Sequence, residues 1–394
     1  MRLHRLLADA CVEVLDGVFH QAKVVDRTLD ALFRQHPKWG RRDRSFVAET
    51  VYELVRWRRH YALLAGTDEI RRMLGLRWTE VGYARPEWAF WPEMTPLQPD
   101  ARAALLSTQS RAVRESVPDR LDDIGAEELG PRWDRELAAL NASAPVFLRI
   151  NPLRTTRDEL RQWLLDKDVE TEAVPELPSA LQVTGSRLIA PILLREGLFE
   201  IQDAASQLVA PFLGVEPGHR VLDACAGAGG KTLHLAALMQ GKGELRALDV
   251  SAGKLDALRE RATRAGVAKL IRCEVISDAV LQNCRGWADR LLIDSPCSGL
   301  GTLRRQPDLK WRITPESLET TRRLQSELLD RYCALLRPGG EMVYATCSIL
   351  PSENQLQVER FLTRHPEFEQ TGEQAVSPAD TGYDGFYMAR LRHQ

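Results

Sequence analysis

The segment Arg220-Val-Leu-Asp-Ala-Cys-Ala-Gly-Ala-Gly-Gly-Lys-Thr232 restricts the fold of this 394-residue chain more than any other. An apolar, strand-like run enters it, glycines fill a turn, and a helical pattern leaves over Lys231–Met239. Glycines there let the backbone turn tightly and approach a ligand at a helix N-terminus. The alternation continues downstream. Strands are predicted at Glu244–Asp249, Lys269–Val275, Arg290–Asp294 and Glu341–Ala345, with helices over Lys254–Ala265 and Glu316–Leu336. Arg337-Pro-Gly-Gly340 reads as a turn. This pattern implies an α/β fold from about residue 206, with a mostly parallel sheet covered on both faces.

The glycine turn alone does not name its ligand. It lacks the four-residue gap of a phosphate loop, and Gly227-Ala-Gly229-Gly230 is not the dinucleotide spacing. Asp249, however, ends the next strand, where a carboxylate can accept hydrogen bonds from ribose hydroxyls. Nucleoside binding without a phosphate cradle suggests S-adenosylmethionine. Cys225, Ala226, Gly227, Ala228, Gly229, Gly230, Lys231 and Asp249 are then the candidate cofactor residues. Asp278 follows the third strand and reads equally as an adenine contact or a helix cap.

Two thiols lie at predicted strand ends. Leu291-Leu-Ile-Asp294-Ser-Pro-Cys297-Ser-Gly-Leu-Gly-Thr302 puts Asp294 and Cys297 at the C-terminal end of a strand, where open α/β sheets bind ligands. Val343-Tyr-Ala-Thr-Cys347-Ser-Ile-Leu-Pro-Ser-Glu-Asn354 does the same for Cys347. A free Cys is often only a small buried hydrophobe. Two at neighbouring strand ends, with a carboxylate, instead suggest one reactive pocket.

Upstream, residues 1–142 read as helical, with Val47, Val51, Leu54 and Val55 at helical spacing. Arg85-Pro-Glu-Trp-Ala-Phe-Trp-Pro-Glu-Met94 should be a loop whose aromatics either pack or stack on bases. Residues 143–204 read as a small α+β unit, with strands at Val146–Asn151 and Leu181–Thr184 and a Thr-capped helix over Thr156–Leu165. Residues 205–394 form the third domain.

A net charge of −2 makes any polyanion partner depend on local patches. Arg34–Arg59 holds eight basic residues against three acidic ones, and Leu303–Arg323 six against three. The seven cysteines include no Cys-x-x-Cys pair, which argues against structural zinc and fits a reducing, cytoplasmic setting. No apolar run is long enough to span a membrane.

These segments resemble the Nol/Nop/Sun-type RNA cytosine-carbon-5 methyltransferases. The likeness is carried by Asp223–Thr232, Asp294–Arg305, Gln306-Pro-Asp-Leu-Lys-Trp311 and Ala345-Thr-Cys-Ser348. Phe147-Leu-Arg-Ile-Asn151, Ile201–Ser206 and Asp384-Gly-Phe-Tyr-Met-Ala-Arg390 add to it. Gly227-Ala228 departs from the Ala-Pro usual in the family, though either permits a tight turn. The resemblance covers residues 146–394. More loosely, Asp43-Arg-Ser-Phe-Val-Ala-Glu49 resembles a NusB-like RNA-binding domain.

The resemblance implies a class I, Rossmann-like S-adenosylmethionine-dependent domain, preceded by a ferredoxin-like α+β domain and a helical domain. It implies a monomer without metal, acting on a single-stranded or flipped-out cytosine in RNA, ribosomal RNA before transfer RNA. Cys347 would attack, Cys297 would assist product release, and Asp294 would bind the cytosine edge and also face the cofactor. Arg149, Asn151, Arg304, Arg305 and Lys310 would contact the RNA.

Other readings are separable. A DNA cytosine enzyme would use the Pro-Cys thiol as nucleophile and leave Cys347 unexplained. An amino-group methyltransferase would carry Asp/Asn-Pro-Pro-aromatic in place of Asp294-Ser-Pro-Cys297. A nicotinamide oxidoreductase has only the glycines in its favour. A non-catalytic RNA-binding assembly factor would have no need of both thiols, Asp294 and the cofactor turn.

Overall fold

A computed structural model describes residues 3–89, 91–185 and 189–394. The chain divides into two compact units. One comprises residues 1–142 and 303–315, the other residues 143–302 and 316–394. Among the described residues no helix is long and apolar enough to cross a membrane.

The first unit is helical, from Arg5–Gln21 through Arg132–Asn141. Its core holds Leu15, Val47, Val51, Leu54, Val55, Tyr61, Met73 and Leu74, all fully or nearly fully buried. Val47, Val51, Leu54 and Val55 recur on one face of the helix Arg41–Arg56, as their three- and four-residue spacing requires. The Pro- and Trp-rich stretch is a loop whose aromatics pack inward. Trp91 is buried and lies 5.4 Å from Trp78, ring to ring, with Trp88 edge-on to it. Phe90, also in that stretch, lies outside the described residues.

Residues 303–315 complete this unit. Arg304 and Lys310, which the resemblance puts in contact with RNA, are both buried. The Lys310 ammonium donates to the carbonyls of Arg56 (3.0 Å) and Ser116 (3.4 Å) and to Asn141 Oδ1. Burial, with Arg56 nearby, pushes its pKa well down. Arg304 donates to the Ala139 carbonyl at 2.9 Å and accepts from Arg56 through its own carbonyl. Trp311 donates its indole N–H to the Val55 carbonyl at 2.8 Å. Arg305 is half-buried. The basic run between the thiol loop and the next helix is therefore largely internal wiring.

The second unit holds two sheets. The smaller is antiparallel, in the order β2-β3-β1-β4, from β1 (Val146–Ile150), β2 (Thr171–Ala173), β3 (Ala180–Val183) and β4 (Phe199–Ile201). Helix Arg157–Leu165 packs beside it, opened by a capping box in which Thr156 and Glu159 each satisfy the other's backbone N–H.

The larger sheet has seven strands: β5 (Arg220–Asp223), β6 (Glu244–Asp249), β7 (Ile271–Val275), β8 (Ala288–Asp294), β9 (Leu336–Thr346), β10 (Phe368–Val376) and β11 (Phe386–His393). Their order is β10-β11-β9-β8-β5-β6-β7. The five strands from β7 to β9 are parallel, and β11 and β10 add an antiparallel edge. The order reverses between β5 and β8, and such a switch point opens a crevice at the C-terminal strand ends. The expected turn Arg337–Gly340 falls inside β9. Ala288 pairs with Leu336 but Arg290 with Glu341, so the Pro-Gly-Gly is an excursion along one strand.

Lys310→Met keeps the length of the side chain but leaves three buried acceptors without their donor. It should lower stability by about 3 kcal/mol, read as a shifted denaturant midpoint. A phosphate contact would predict unchanged stability.

Candidate active site

The first wall of the site is the turn after β5. Gly229 sits at φ +88°, and a Cβ there would lie 2.1 Å from Leu258 Cδ1, so only glycine closes the turn against the helix Ala252–Ala265. Asp249, at the end of β6, receives the Gly227 N–H on Oδ2 (2.9 Å) and the Ser251 N–H on Oδ1 (2.8 Å). Each carboxylate oxygen keeps a second lone pair for a ligand hydroxyl. A Cβ built on Gly227 would meet nothing within 4 Å, so the turn faces open space. Val250, directly after Asp249, is exposed. These features fit the nucleoside portion of S-adenosylmethionine.

Asp223 supports the turn from below. It accepts from Thr232 Oγ1 (2.7 Å) and the Cys225 N–H (3.3 Å). Burial pushes its pKa up to about 7, against the lowering effect of the Thr232 hydrogen bond, and the Asp294 charge adds to the rise. Burial also pushes the Cys225 thiol well up, which makes it a poor nucleophile.

Arg149 and Asn151, the other residues expected to meet RNA, are buried. Arg149, on β1, donates to the Gly230 carbonyl (2.5 Å) and to Gln202 Oε1. Asn151 donates to the carbonyls of Gly197 (2.9 Å) and Ala265 (3.0 Å). Both spend their donors bracing the larger sheet's cofactor turn and helix against the smaller sheet. Arg261 does the same from the other side, joining the Ala228 carbonyl (2.5 Å) to Glu200 of β4 (2.8 Å). Asp278 is not the helix cap. Ser277 is the helix cap, and the Asp278 side chain is 96% exposed and paired with Arg331 at 2.5 Å.

The second wall carries the thiols. β8 and β9 are neighbours, with Asp294 opposite Ala345 and the Ser295 N–H bonded to the Ala345 carbonyl at 2.8 Å. The two chains leave the sheet together, and the Cys297 and Cys347 sulfurs meet at 3.3 Å. Gly301 N–H returns to the Cys347 carbonyl at 3.0 Å, closing one loop on the other. The hydrogen bond to Cys347, then burial, push the Cys297 thiol well up.

Lys231 joins the walls. It comes from the first turn of the helix Gly230–Leu238, and its ammonium pairs with Asp294 Oδ2 at 2.7 Å and lies over the Phe386 ring at 5.0 Å. Burial works to lower its pKa, but the Asp294 carboxylate, with the Cys347 sulfur adding charge, holds it above the ordinary value. Lys231 thus places a positive charge within electrostatic reach of Cys347. Sequence reasoning treated it as a cofactor residue only. It also missed Glu200, Arg261, Gln325 and Glu353, charged or polar residues whose roles lie in contacts far along the chain. Among the described residues no cluster of three or more His, Cys, Asp or Glu could hold a metal ion.

The sheet order, the acid-ended second strand and the open glycine turn define an S-adenosylmethionine-dependent methyltransferase. The fold recurs in the solved structure of PH0851 (20% identical, TM-score 0.79, covering 98% of both chains). It recurs also in a methyltransferase homolog protein from Pyrococcus horikoshii (25% identical, TM-score 0.62, covering 76% of this chain and all of that one). Residues 210–392 match the family described as 16S rRNA methyltransferase RsmB/F, and residues 121–189 match its ferredoxin-like domain. The chain is 36% identical over 298 residues to the probable ribosomal RNA small subunit methyltransferase B of Synechocystis, covering 70% of this chain and 67% of that protein. It is 33% identical over 299 residues to ribosomal RNA small subunit methyltransferase B of Vibrio cholerae, covering 73% and 68%. The chain belongs to the RsmB/F methyltransferase family.

The raised Asp223 pKa has a definite sign. The folded state holds this proton more tightly than the unfolded chain, so the contribution is full below about pH 4 and is lost as pH rises through about 7. Asp223→Asn cannot ionise. Its stability relative to the unsubstituted protein should therefore improve by roughly 4 kcal/mol between pH 4 and 8, measured by urea unfolding at each pH.

Proposed function

We propose that the chain methylates carbon 5 of a cytosine in RNA, ribosomal RNA in the first instance, through a covalent adduct on Cys347. The observation that carries this reading is the pair of sulfurs in contact beside the Lys231–Asp294 ion pair, next to a methyl-donor turn. Most methyl transfers need no protein nucleophile. Carbon 5 of cytosine does, because it is a poor nucleophile within the aromatic ring.

Addition of a Cys347 thiolate to carbon 6 removes the aromaticity and makes carbon 5 enamine-like, so one hard step becomes two easier ones. S-adenosylmethionine, when bound, supplies an electrophilic sulfonium methyl. Asp249 and the Gly227 turn would hold its nucleoside. Asp294 has Oδ2 on Lys231, which leaves Oδ1 for the amino and N3 edge of the base. That contact favours protonation of the ring and draws electrons away from carbon 6.

The family resemblance implies Cys347 as the attacking sulfur. The contact with Cys347 and burial, which push the Cys297 thiol well up, are in keeping with that division. Release would use Cys297 as a thiolate, its own proton lost to solvent after the addition step: it would take the carbon 5 proton while the carbon 6–sulfur bond breaks and Cys347 leaves as the thiolate. A cytosine inside a duplex could not reach these sulfurs, so the target base would be unpaired or flipped out. With Arg149, Asn151, Arg304 and Lys310 committed internally, RNA contacts would fall to other basic residues, the half-buried Arg305 among them.

Incubation with small-subunit ribosomal RNA and methyl-labelled S-adenosylmethionine should label cytosine, located by bisulfite sequencing. Absence of 5-methylcytosine would sink the reading. Cys347→Ala should lower methyl transfer by at least about 10³-fold, the scale expected for loss of a nucleophile, with cofactor affinity retained. Cys297→Ala should accumulate an RNA–protein adduct that survives denaturation; an adduct on Cys297 in the Cys347 variant would reverse the two roles.

A further inference from the structure

A fully buried carboxylate, Glu353, binds both thiol loops at once. Its Oε1 accepts the Ser298 N–H (2.7 Å) and the Gln325 amide (3.1 Å). Its Oε2 accepts the hydroxyls of Ser298 and Ser348, each at 2.5 Å. These serines directly follow Cys297 and Cys347. Each hydroxyl in turn accepts a backbone N–H two residues on, from Leu300 (3.2 Å) and Leu350 (3.1 Å), which fixes the loop behind its thiol. Gln325 also donates to the Pro296 carbonyl (3.0 Å), the residue before Cys297. The Glu353 backbone is held as well, by the Tyr344 hydroxyl at 2.7 Å.

A carboxylate is the acceptor-only group that can take four donors from two loops and a helix together. Burying it is costly unless those donors are all in place. Shift either loop by an ångström and the carboxylate loses a partner, so the site resists separation of the two sulfurs. No part of the chemistry above uses Glu353 directly.

We propose that Glu353 is a positioning residue for the thiol chemistry: through Ser298 and Ser348 it locks the two sulfurs in contact. The proposal rests on reading Cys297 and Cys347 as the working pair. Its negative charge also adds to the causes that keep Cys297 protonated, behind the Cys347 contact and burial.

The test uses the whole 394-residue chain. Each thiol's alkylation by iodoacetamide is followed by mass spectrometry without RNA, and methyl transfer is measured in parallel. Glu353→Gln preserves size but replaces one acceptor oxygen with a donor that faces a serine hydroxyl. The unsubstituted protein should alkylate Cys347 ahead of Cys297, and the variant should lose about tenfold of that selectivity, the scale of one charge-assisted hydrogen bond. Its kcat should fall by about 10²-fold, as for a misplacement near 1 Å, while KM for S-adenosylmethionine stays within twofold, about the spread expected for an untouched site. Ser298→Ala and Ser348→Ala each remove one arm and should fall between. A folded Glu353→Gln variant with unchanged selectivity and kcat overturns the proposal. If that variant does not fold, unchanged values in both serine variants overturn it. Should the unsubstituted protein methylate no RNA, the functional reading fails, and the alkylation comparison still decides the role of Glu353.

Discussion

Parallel pairing of β8 with β9 is the constraint on which the rest of the site depends. In register, it sets Asp294 against Ala345, and three residues beyond one and two beyond the other bring the sulfurs together. The backbone bond from Ser295 to Ala345 extends this pairing past the sheet edge. A slip of one residue would turn the side chains of one strand to the opposite face and part the sulfurs. The reactive pair is thus a product of sheet register first and of local loop chemistry second.

The remaining polar groups divide by which wall they serve. Arg149 and Arg261 donate to backbone carbonyls of the glycine turn, and Asn151 to that of Ala265 at the end of the helix Ala252–Ala265, so the smaller sheet acts as a brace for the cofactor wall. Glu353 and Gln325 serve the thiol wall. Lys231 belongs to one wall by sequence and reaches the other by charge, through Asp294. Each brace fixes main chain, and the reactive side chains inherit their places from it.

Much of this was legible in the residues. β5, β6 and β8, the helices between them, and the pairing of two thiols with Asp294 follow from alternation, glycine placement and strand-end position. The class of fold and the cofactor came with them. What could not be read was the destination of long polar side chains. Arg149 and Lys310 show no local sign of burial, because their partners include carbonyls 81 and 254 residues away. The edge strand β10 escaped because its polar, half-exposed run lacks the apolar signature of the central strands, and β11, buried over Phe386–Ala389, reads only as a family segment. The Pro-Gly-Gly of β9 reads as a turn because strand pairing on either side of it is a tertiary matter. Of the two readings of Asp278, the cap goes to the neighbouring Ser277, and the side chain stays exposed beside Arg331.

The internal Lys310 also bears on how the chain comes to be folded. A contact spanning 254 residues closes a very long loop, and such closures must be made before they are rewarded. During synthesis the helical unit emerges first, but it lacks Lys310, Trp311 and the rest of residues 303–315 until most of the larger sheet's parallel strands have followed. The helical unit, made ahead of both sheets, is therefore among the last parts to be completed. A ribosome paused before residue 310 would hold a helical unit with Asn141, Ser116 and Arg56 still waiting for their donor.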